Sequence, residues 1–307
     1  MSLQVPSSDE TIAVPLDDGE RLVLRRYRNL RRPMLAICHG NGFATDGYAP
    51  FWNSLMAEFE LFVFDLRHHG WNSPQDPMRT GFDRYAGDLD HVYRKLREYR
   101  PSVPVYGAFH SLSAIIALLQ ATSFPSLPDG LFLFDPPIQP PKHHPLHALA
   151  NGFELKLADW AGARPCRFRS PEALSILFGE SRSLSGWTEG AHDLMARSIL
   201  RPDGEDWMLA CPPSVEAQNY RDNAALISWD LFELIDVPLA FICGDPQHPA
   251  GQSPAQVCAT LAKDRGISYC SIPGTTHMLQ IEKPEACRDA LCGFLSSMPS
   301  REVTRRA

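Results

Sequence analysis

From Met34 to Asp135 the chain alternates between short apolar runs and longer amphipathic ones, and this alternation restricts the fold more than any other feature. Met34–Cys38, Leu61–Asp65, Val103–Phe109 and Gly130–Phe134 have strand length and are rich in apolar, β-branched and aromatic residues. Gly47–Phe59, Asp83–Tyr99 and Ala114–Gln120 separate them as predicted helices. In the second of these, Tyr85, Leu89, Val92 and Leu96 recur at helical spacing among charges. Apolar strands joined through helices pair in parallel, and helices cover both faces of the sheet they form. The pattern resumes with Pro238–Cys243 as a strand, Pro254–Lys263 as a helix, Ile267–Ile272 as the last strand and Lys283–Leu295 as a closing helix. Pro284 falls in the first turn of that helix, where proline is tolerated. Ahead of the alternation, Thr11–Leu16 and Arg21–Tyr27 flank Asp17-Asp18-Gly19-Glu20 as an expected hairpin. The prediction is an α/β protein with a mostly parallel central sheet.

Ile138–Trp229 interrupts the pattern. It opens on the proline- and histidine-rich Gln139–His147, contains helix-like pieces at Pro171–Phe178 and Ala191–Leu200, and has a turn at Arg201-Pro202-Asp203-Gly204. The expected organisation is a core of residues 1–137 and 230–307 with a mostly helical insertion, 138–229, folded over the strand ends. Its aromatic residues, among them Phe153, Trp160, Phe178, Trp187 and Tyr220, offer an apolar lining for a pocket, although packing on the core accounts for most of them. The charged Pro299–Ala307 reads as a frayed tail.

In a parallel sheet, ligands gather at the carboxyl ends of the strands. Within Val103–Gln120, the strand passes into its helix through Phe109-His110-Ser111-Leu112-Ser113, with almost no room for a turn. A bend that sharp holds Ser111 in a strained conformation and pushes its side chain out of the sheet. Ser111 is therefore a candidate nucleophile, and helix capping is the competing role for a serine at this position. The pentapeptide departs from G-x-S-x-G at Phe109 and Ser113. Pro273-Gly274-Thr275-Thr276-His277-Met278 follows the last strand, so His277 can point back across the rim and take the Ser111 proton. His39 and Asp135 also fall at strand ends.

Together these segments resemble the α/β-hydrolase superfamily in its cap-bearing, serine esterase-like branch. The resemblance rests on four pieces: His39-Gly40 after the third strand; Asp65-Leu66-Arg67-His68-His69-Gly70, where the family often has D-x-R-G-x-G; the bend at Ser111; and Gly274–Glu285, where the family has G-x-G-H-x-x-x-x-E-x-P-E with Thr276 here replacing the second glycine. These pieces run in family order from Met34 to Glu285. The resemblance implies Ser111 as nucleophile, His277 as general base, and an oxyanion hole from the backbone N–H groups of Asn41 and Leu112. For the acid, Gly244-Asp245-Pro246 stands near the family's G-x-x-D position, and Asp245 is preferred on that ground. Asp135 is the alternative, since some cap-bearing members take their acid from the preceding strand end. Asp65 and Arg67 are expected to brace the rim, and His110 to pack beside Ser111.

The implied activity is hydrolysis of a carboxylic ester or related acyl compound, small to medium and partly apolar, through an acyl-enzyme. Thioester, lactone and C–C cleavage use the same triad, as does a perhydrolase-like side activity, and a non-catalytic scaffold is the reading from another class. No cofactor or metal is expected: His39, His68, His69, His143, His144 and His147 fit no standard ligand spacing. The formal charge of −7 argues against nucleic acid or anionic membrane as partner. No apolar run approaches a membrane span, Met1–Glu10 lacks a signal-peptide layout, and the eight scattered cysteines form no C-x-x-C pair. A reduced, cytoplasmic setting is the expectation.

Overall fold

The computed structural model describes residues 3–72, 79–249 and 253–297. In chain order the first half runs β1 (Glu10–Pro15), β2 (Arg21–Tyr27), β3 (Met34–Cys38), α1 (Ala49–Asn53), β4 (Glu60–Phe64), α2 (Phe82–Tyr99), β5 (Val105–His110), α3 (Leu112–Ser123) and β6 (Gly130–Phe134). The insertion follows as α4 (His147–Ala163), β7 (Arg167–Phe168), α5 (Pro171–Glu180), α6 (Ala191–Ile199), β8 (Leu200–Asp203), β9 (Asp206–Leu209) and α7 (Pro213–Ala225). The chain returns through β10 (Leu239–Cys243), α8 (Ser253–Arg265), β11 (Ser268–Ser271), α9 (Leu279–Glu282) and α10 (Pro284–Ser297).

Eight strands form one sheet in the order β1-β2-β4-β3-β5-β6-β10-β11. The β1–β2 hairpin is antiparallel and joins β4 antiparallel, while every pairing from β4 onward is parallel. The central strands β3, β4 and β6 are buried along their whole length, as a sheet covered on both faces requires. One face packs on α2, α3 and α8 through residues such as Leu89, Ile115 and Leu261. The other packs on α1, α10 and the insertion's α5 and α6 through Phe51, Trp52, Leu291, Leu174 and Met195.

Two local readings need correction. The helix expected over Gly47–Phe59 is confined to Ala49–Asn53, behind a 3₁₀ turn over Thr45–Tyr48. Pro50 lies in its first turn, and beyond it the Ser54 hydroxyl donates to the Phe51 carbonyl at 2.6 Å, drawing the backbone into turns. Among the helices between β6 and β10 lies a small three-stranded antiparallel sheet, β7-β9-β8, absent from the sequence reading. The turn expected at Arg201–Gly204 is the end of β8 and the bend into β9, with Gly204 at φ +66°. The tail at Pro299–Ala307 lies outside the described residues. No described helix is long and apolar enough to cross a membrane.

Candidate active site

Ser111 sits at the bend between β5 and α3 with φ 53° and ψ −118°, a conformation that non-glycine residues rarely adopt. Its hydroxyl caps no helix N–H, so the capping role does not account for it. The bend tolerates Phe109 because Gly107, two residues back on the same strand face, has no side chain. A Cβ there would lie 2.3 Å from the Phe109 ring and 2.6 Å from the Tyr93 hydroxyl. Ser113 supplies the small residue after the bend, its hydroxyl accepting the His110 N–H at 3.0 Å.

His277 reaches this serine from the loop after β11. Its Nε2 is 2.9 Å from Ser111 Oγ and its Nδ1 is 2.6 Å from Asp135 Oδ2. A carboxylate only accepts, so Nδ1 carries the proton and donates to Asp135, which leaves Nε2 to accept from the serine hydroxyl. Asp135 follows β6 directly, is fully buried, and also accepts the Gly244 N–H at 3.2 Å. Its φ of 45° turns the carboxylate toward the histidine loop. Such a line of groups can move a proton from serine to imidazole while the carboxylate stabilises the resulting cation.

Asp245, preferred on motif position, is not in that line. Its carboxylate closes the neighbouring loops, accepting the N–H groups of Gly274 and Gln247 at 2.9 Å each. Those two amides hold it below its usual carboxylate range. The reason for the exchange lies at Gly244. A Cβ there would stand 2.5 Å from the Thr276 carbonyl oxygen, so the loop carrying His277 passes directly over the end of β10. The imidazole thereby crosses β10 and meets the carboxylate at the end of β6. Thr276, in place of the family's second glycine, is anchored by Glu282, which accepts its N–H at 2.6 Å and its hydroxyl at 2.5 Å.

The loop at 39–43 lies beside Ser111. A Cβ on Gly40 would be 3.1 Å from that of Ser111 and 2.8 Å from His110 Nδ1, so glycine is needed for the close approach. The N–H of Asn41 donates to no group among the described residues. Leu112 is the first residue of α3, so its N–H has no intrahelical acceptor. Two buried histidines hold the rim as neutral rings. His69 Nδ1 donates to the Arg67 carbonyl at 2.7 Å and Nε2 accepts the Gly42 N–H at 3.1 Å. His39 Nδ1 donates to the Gly40 carbonyl at 2.7 Å and Nε2 accepts the Leu66 N–H at 3.1 Å. Burial depresses both, His69 to about 3. His110 is likewise buried and neutral: Nε2 donates to the His277 carbonyl, and Nδ1 accepts the Tyr48 hydroxyl, each at 2.8 Å.

Asp65 and Arg67 have bracing partners. Asp65 accepts the N–H groups of Thr45 at 2.7 Å and Trp71 at 2.8 Å, and Arg67 joins Asp88 to Asp18. Among the described residues no histidine, cysteine and carboxylate group is arranged to hold a metal ion.

Residues between β6 and β10 reach this centre. Ser111 is only 6% exposed, and the Phe153 ring of α4 stands edge-on to His277 at 6.1 Å. Trp160 faces solvent beneath the Arg164 guanidinium, while Phe178 and Trp187 pack into the core. The sequence reading missed the polar residues that α7 brings to the loop at 39–43: Asn219 and Glu216 are both buried and both bond to Asn41. Their polar character on a helix with no clear apolar stripe was the available signal.

A family model described as the alpha/beta hydrolase family matches residues 35–290. Human monoglyceride lipase is 29% identical over 124 residues, a stretch covering 39% of this chain and 40% of that protein. The match therefore spans less than half the length of that relative. Among solved structures, E-2-(acetamidomethylene)succinate hydrolase superposes with a TM-score of 0.74 at 19% identity, over 94% of this chain and 100% of that one. A thermophilic esterase from Thermogutta terrifontis gives 0.67 at 18% identity, over 94% and 98%. An alpha/beta hydrolase from Novosphingobium aromaticivorans gives 0.73 at 18% identity, over 95% and 100%. At these identities the structural likeness speaks for the fold alone. The family model, by contrast, spans most of the chain, from β3 into α10, and on that match the protein belongs to the alpha/beta hydrolase family.

Proposed function

We propose that this protein is a serine hydrolase that cleaves a carboxylic ester through an acyl-enzyme. Ser111 Oγ attacks the carbonyl carbon while His277 Nε2 takes the hydroxyl proton. The carbonyl oxygen gathers negative charge between the N–H groups of Asn41 and Leu112. The imidazolium, held in orientation by Asp135, returns the proton to the departing alcohol. A water then repeats the sequence on the acyl-serine, giving up a proton to His277 and releasing the carboxylic acid. No cofactor enters this scheme.

The observation that carries this reading is the unbroken line of hydrogen bonds from Asp135 through His277 to Ser111 at 2.6 and 2.9 Å. The name of the human relative, a monoglyceride lipase, and that of the Thermogutta terrifontis esterase favour an ester over a thioester, lactone or C–C bond. The Phe153 ring standing edge-on to the imidazole favours a partly apolar acyl group. A panel of p-nitrophenyl esters of increasing acyl length, run on wild type and Ser111→Ala, tests the reading. Turnover that depends on acyl length and is lost in Ser111→Ala is the expected result. Equal rates in the two proteins would contradict it.

A further inference from the structure

An oxyanion-hole amide presents a particular difficulty. Its N–H has to stay free of protein acceptors, so it is oriented only through the groups on either side of it. On one side of the Gly40–Asn41 peptide, the Gly40 carbonyl accepts His39 Nδ1 at 2.7 Å and the Phe43 N–H at 3.2 Å. Both donors belong to the core. On the other side the Asn41 side chain turns away into the insertion and is gripped by α7 at both ends. Asn41 Nδ2 donates to the Glu216 carbonyl at 2.9 Å, and Asn41 Oδ1 accepts from Asn219 Nδ2 at 3.0 Å.

The grip is itself supported. The Tyr85 hydroxyl of α2 donates to Asn219 Oδ1 in a long contact of 3.4 Å. Glu216 is fixed by the guanidinium of Arg164, just past the end of α4, at 2.8 Å. The Glu216 carboxylate lies so close to the loop that a Cβ on Gly42 would stand 2.3 Å from its Oε1. Asn41, Glu216 and Asn219 are 4%, 2% and 1% exposed, so water does not replace these bonds while α7 stays in position.

We infer that Asn219 is a positioning residue for the oxyanion hole, acting through the Asn41 side chain, so that seating of the insertion completes the catalytic centre. This rests on the hydrolase reading above. A displaced α7 would leave the nucleophile and its base on the core and free the Asn41 side of the Gly40–Asn41 peptide, whose Gly40 carbonyl stays held by His39 and Phe43. The consequence falls on the transition state, where the oxyanion forms, more than on binding of the ester.

The test uses the full chain with p-nitrophenyl butyrate, and active sites are counted by exhaustive fluorophosphonate labelling. Asn219→Asp keeps the shape of the side chain and an acceptor for Tyr85 but removes the donor to Asn41. Asn219→Ala removes the side chain. Misplacing a catalytic group by a fraction of an ångström to an ångström costs roughly 10- to 100-fold, and kcat per labelled site is expected to fall by that factor with KM little changed. Asn41→Ala, which retains its own backbone N–H, is expected to cause a similar loss, and adding it to Asn219→Ala should cost little more. If Asn219→Ala does not fold, the Asn219→Asp and Asn41→Ala variants carry the same test. An unchanged kcat per site, even with a lower melting temperature, would overturn the inference and leave the hydrolase reading standing, as would losses that multiply in the double variant. Wild type that neither labels nor turns over ester would overturn both.

Discussion

The Asp135 carboxylate meets His277 Nδ1 at 2.6 Å by way of a loop that passes over Gly244. Of the two sequence candidates for the acid, Asp135 is the one whose carboxylate touches the imidazole. Replacing Asp135 by Asn keeps the shape but lets the ring settle in the wrong tautomer, and kcat should fall by about 10³- to 10⁴-fold. Asp245→Asn should leave turnover near that of wild type, since its carboxylate only closes neighbouring loops. Steady-state kinetics of the two variants check this. The reverse ranking would return the role to Asp245.

The reason the sequence favoured Asp245 is instructive. Both aspartates follow apolar strands and precede proline, and motif position counts residues along the chain. What separates them is which strand end the histidine loop lands on, and that depends on Gly244 lying beneath Thr276. Ser111 and His277, which the structure brings within 2.9 Å of each other, are each marked by a local signal: a strand that turns into a helix without a loop, and a glycine turn after the last strand. The parallel sheet was legible for a similar reason, through alternating apolar and amphipathic runs. The contacts of Asn219 and Glu216 with Asn41 join residues about 175 positions apart, and the polar character of α7 marks the helix as unusual without naming its partner. The β8–β9 hairpin was hidden because Arg201-Pro202-Asp203-Gly204 reads as a turn whether or not strands flank it.

Gly107 makes room for Phe109 at the bend. Gly107→Ala should destabilise the protein by about 1–3 kcal/mol, because its Cβ would press on the Phe109 ring, the Tyr93 hydroxyl and Leu131. Phe109→Leu in the same background should recover part of the loss. Chemical denaturation of the single and double variants measures it, and an undiminished deficit in the double variant would count against the steric account.

Glu154 of α4 is 2% exposed, and burial raises its carboxyl to about 8 from an ordinary value near 4.5. Folded, it keeps its proton; unfolded, it loses it near 4.5. The wild type is therefore penalised progressively as pH rises from about 4.5 to about 8. Glu154→Gln removes the titration, so its melting temperature relative to wild type should climb across that window, with a gain of at least about 1 kcal/mol at its upper end. Parallel melting curves at all pH values would show that the carboxyl is not held neutral.

Asp18 behaves in the opposite sense. Hydrogen bonds from Arg67, with further help from the Glu20 N–H and Arg84, pull its carboxyl down to about 2. Its folded value lies below the unfolded one, so its stabilisation is complete above about pH 4 and is lost as pH falls toward 2. Asp18→Asn should cost roughly 1–2 kcal/mol at neutral pH. The difference from wild type should close on acidification. Urea titrations at several pH values follow it, and a constant difference down to pH 3 would refute the assignment.

Intact-mass analysis after fluorophosphonate treatment, followed by peptide mapping, addresses the hydroxyl that the whole account turns on. One phosphonyl adduct located on Ser111 in wild type, strongly slowed in His277→Ala and absent from Ser111→Ala, is the predicted result. An unmodified wild-type protein, or an adduct that survives replacement of Ser111, would contradict it.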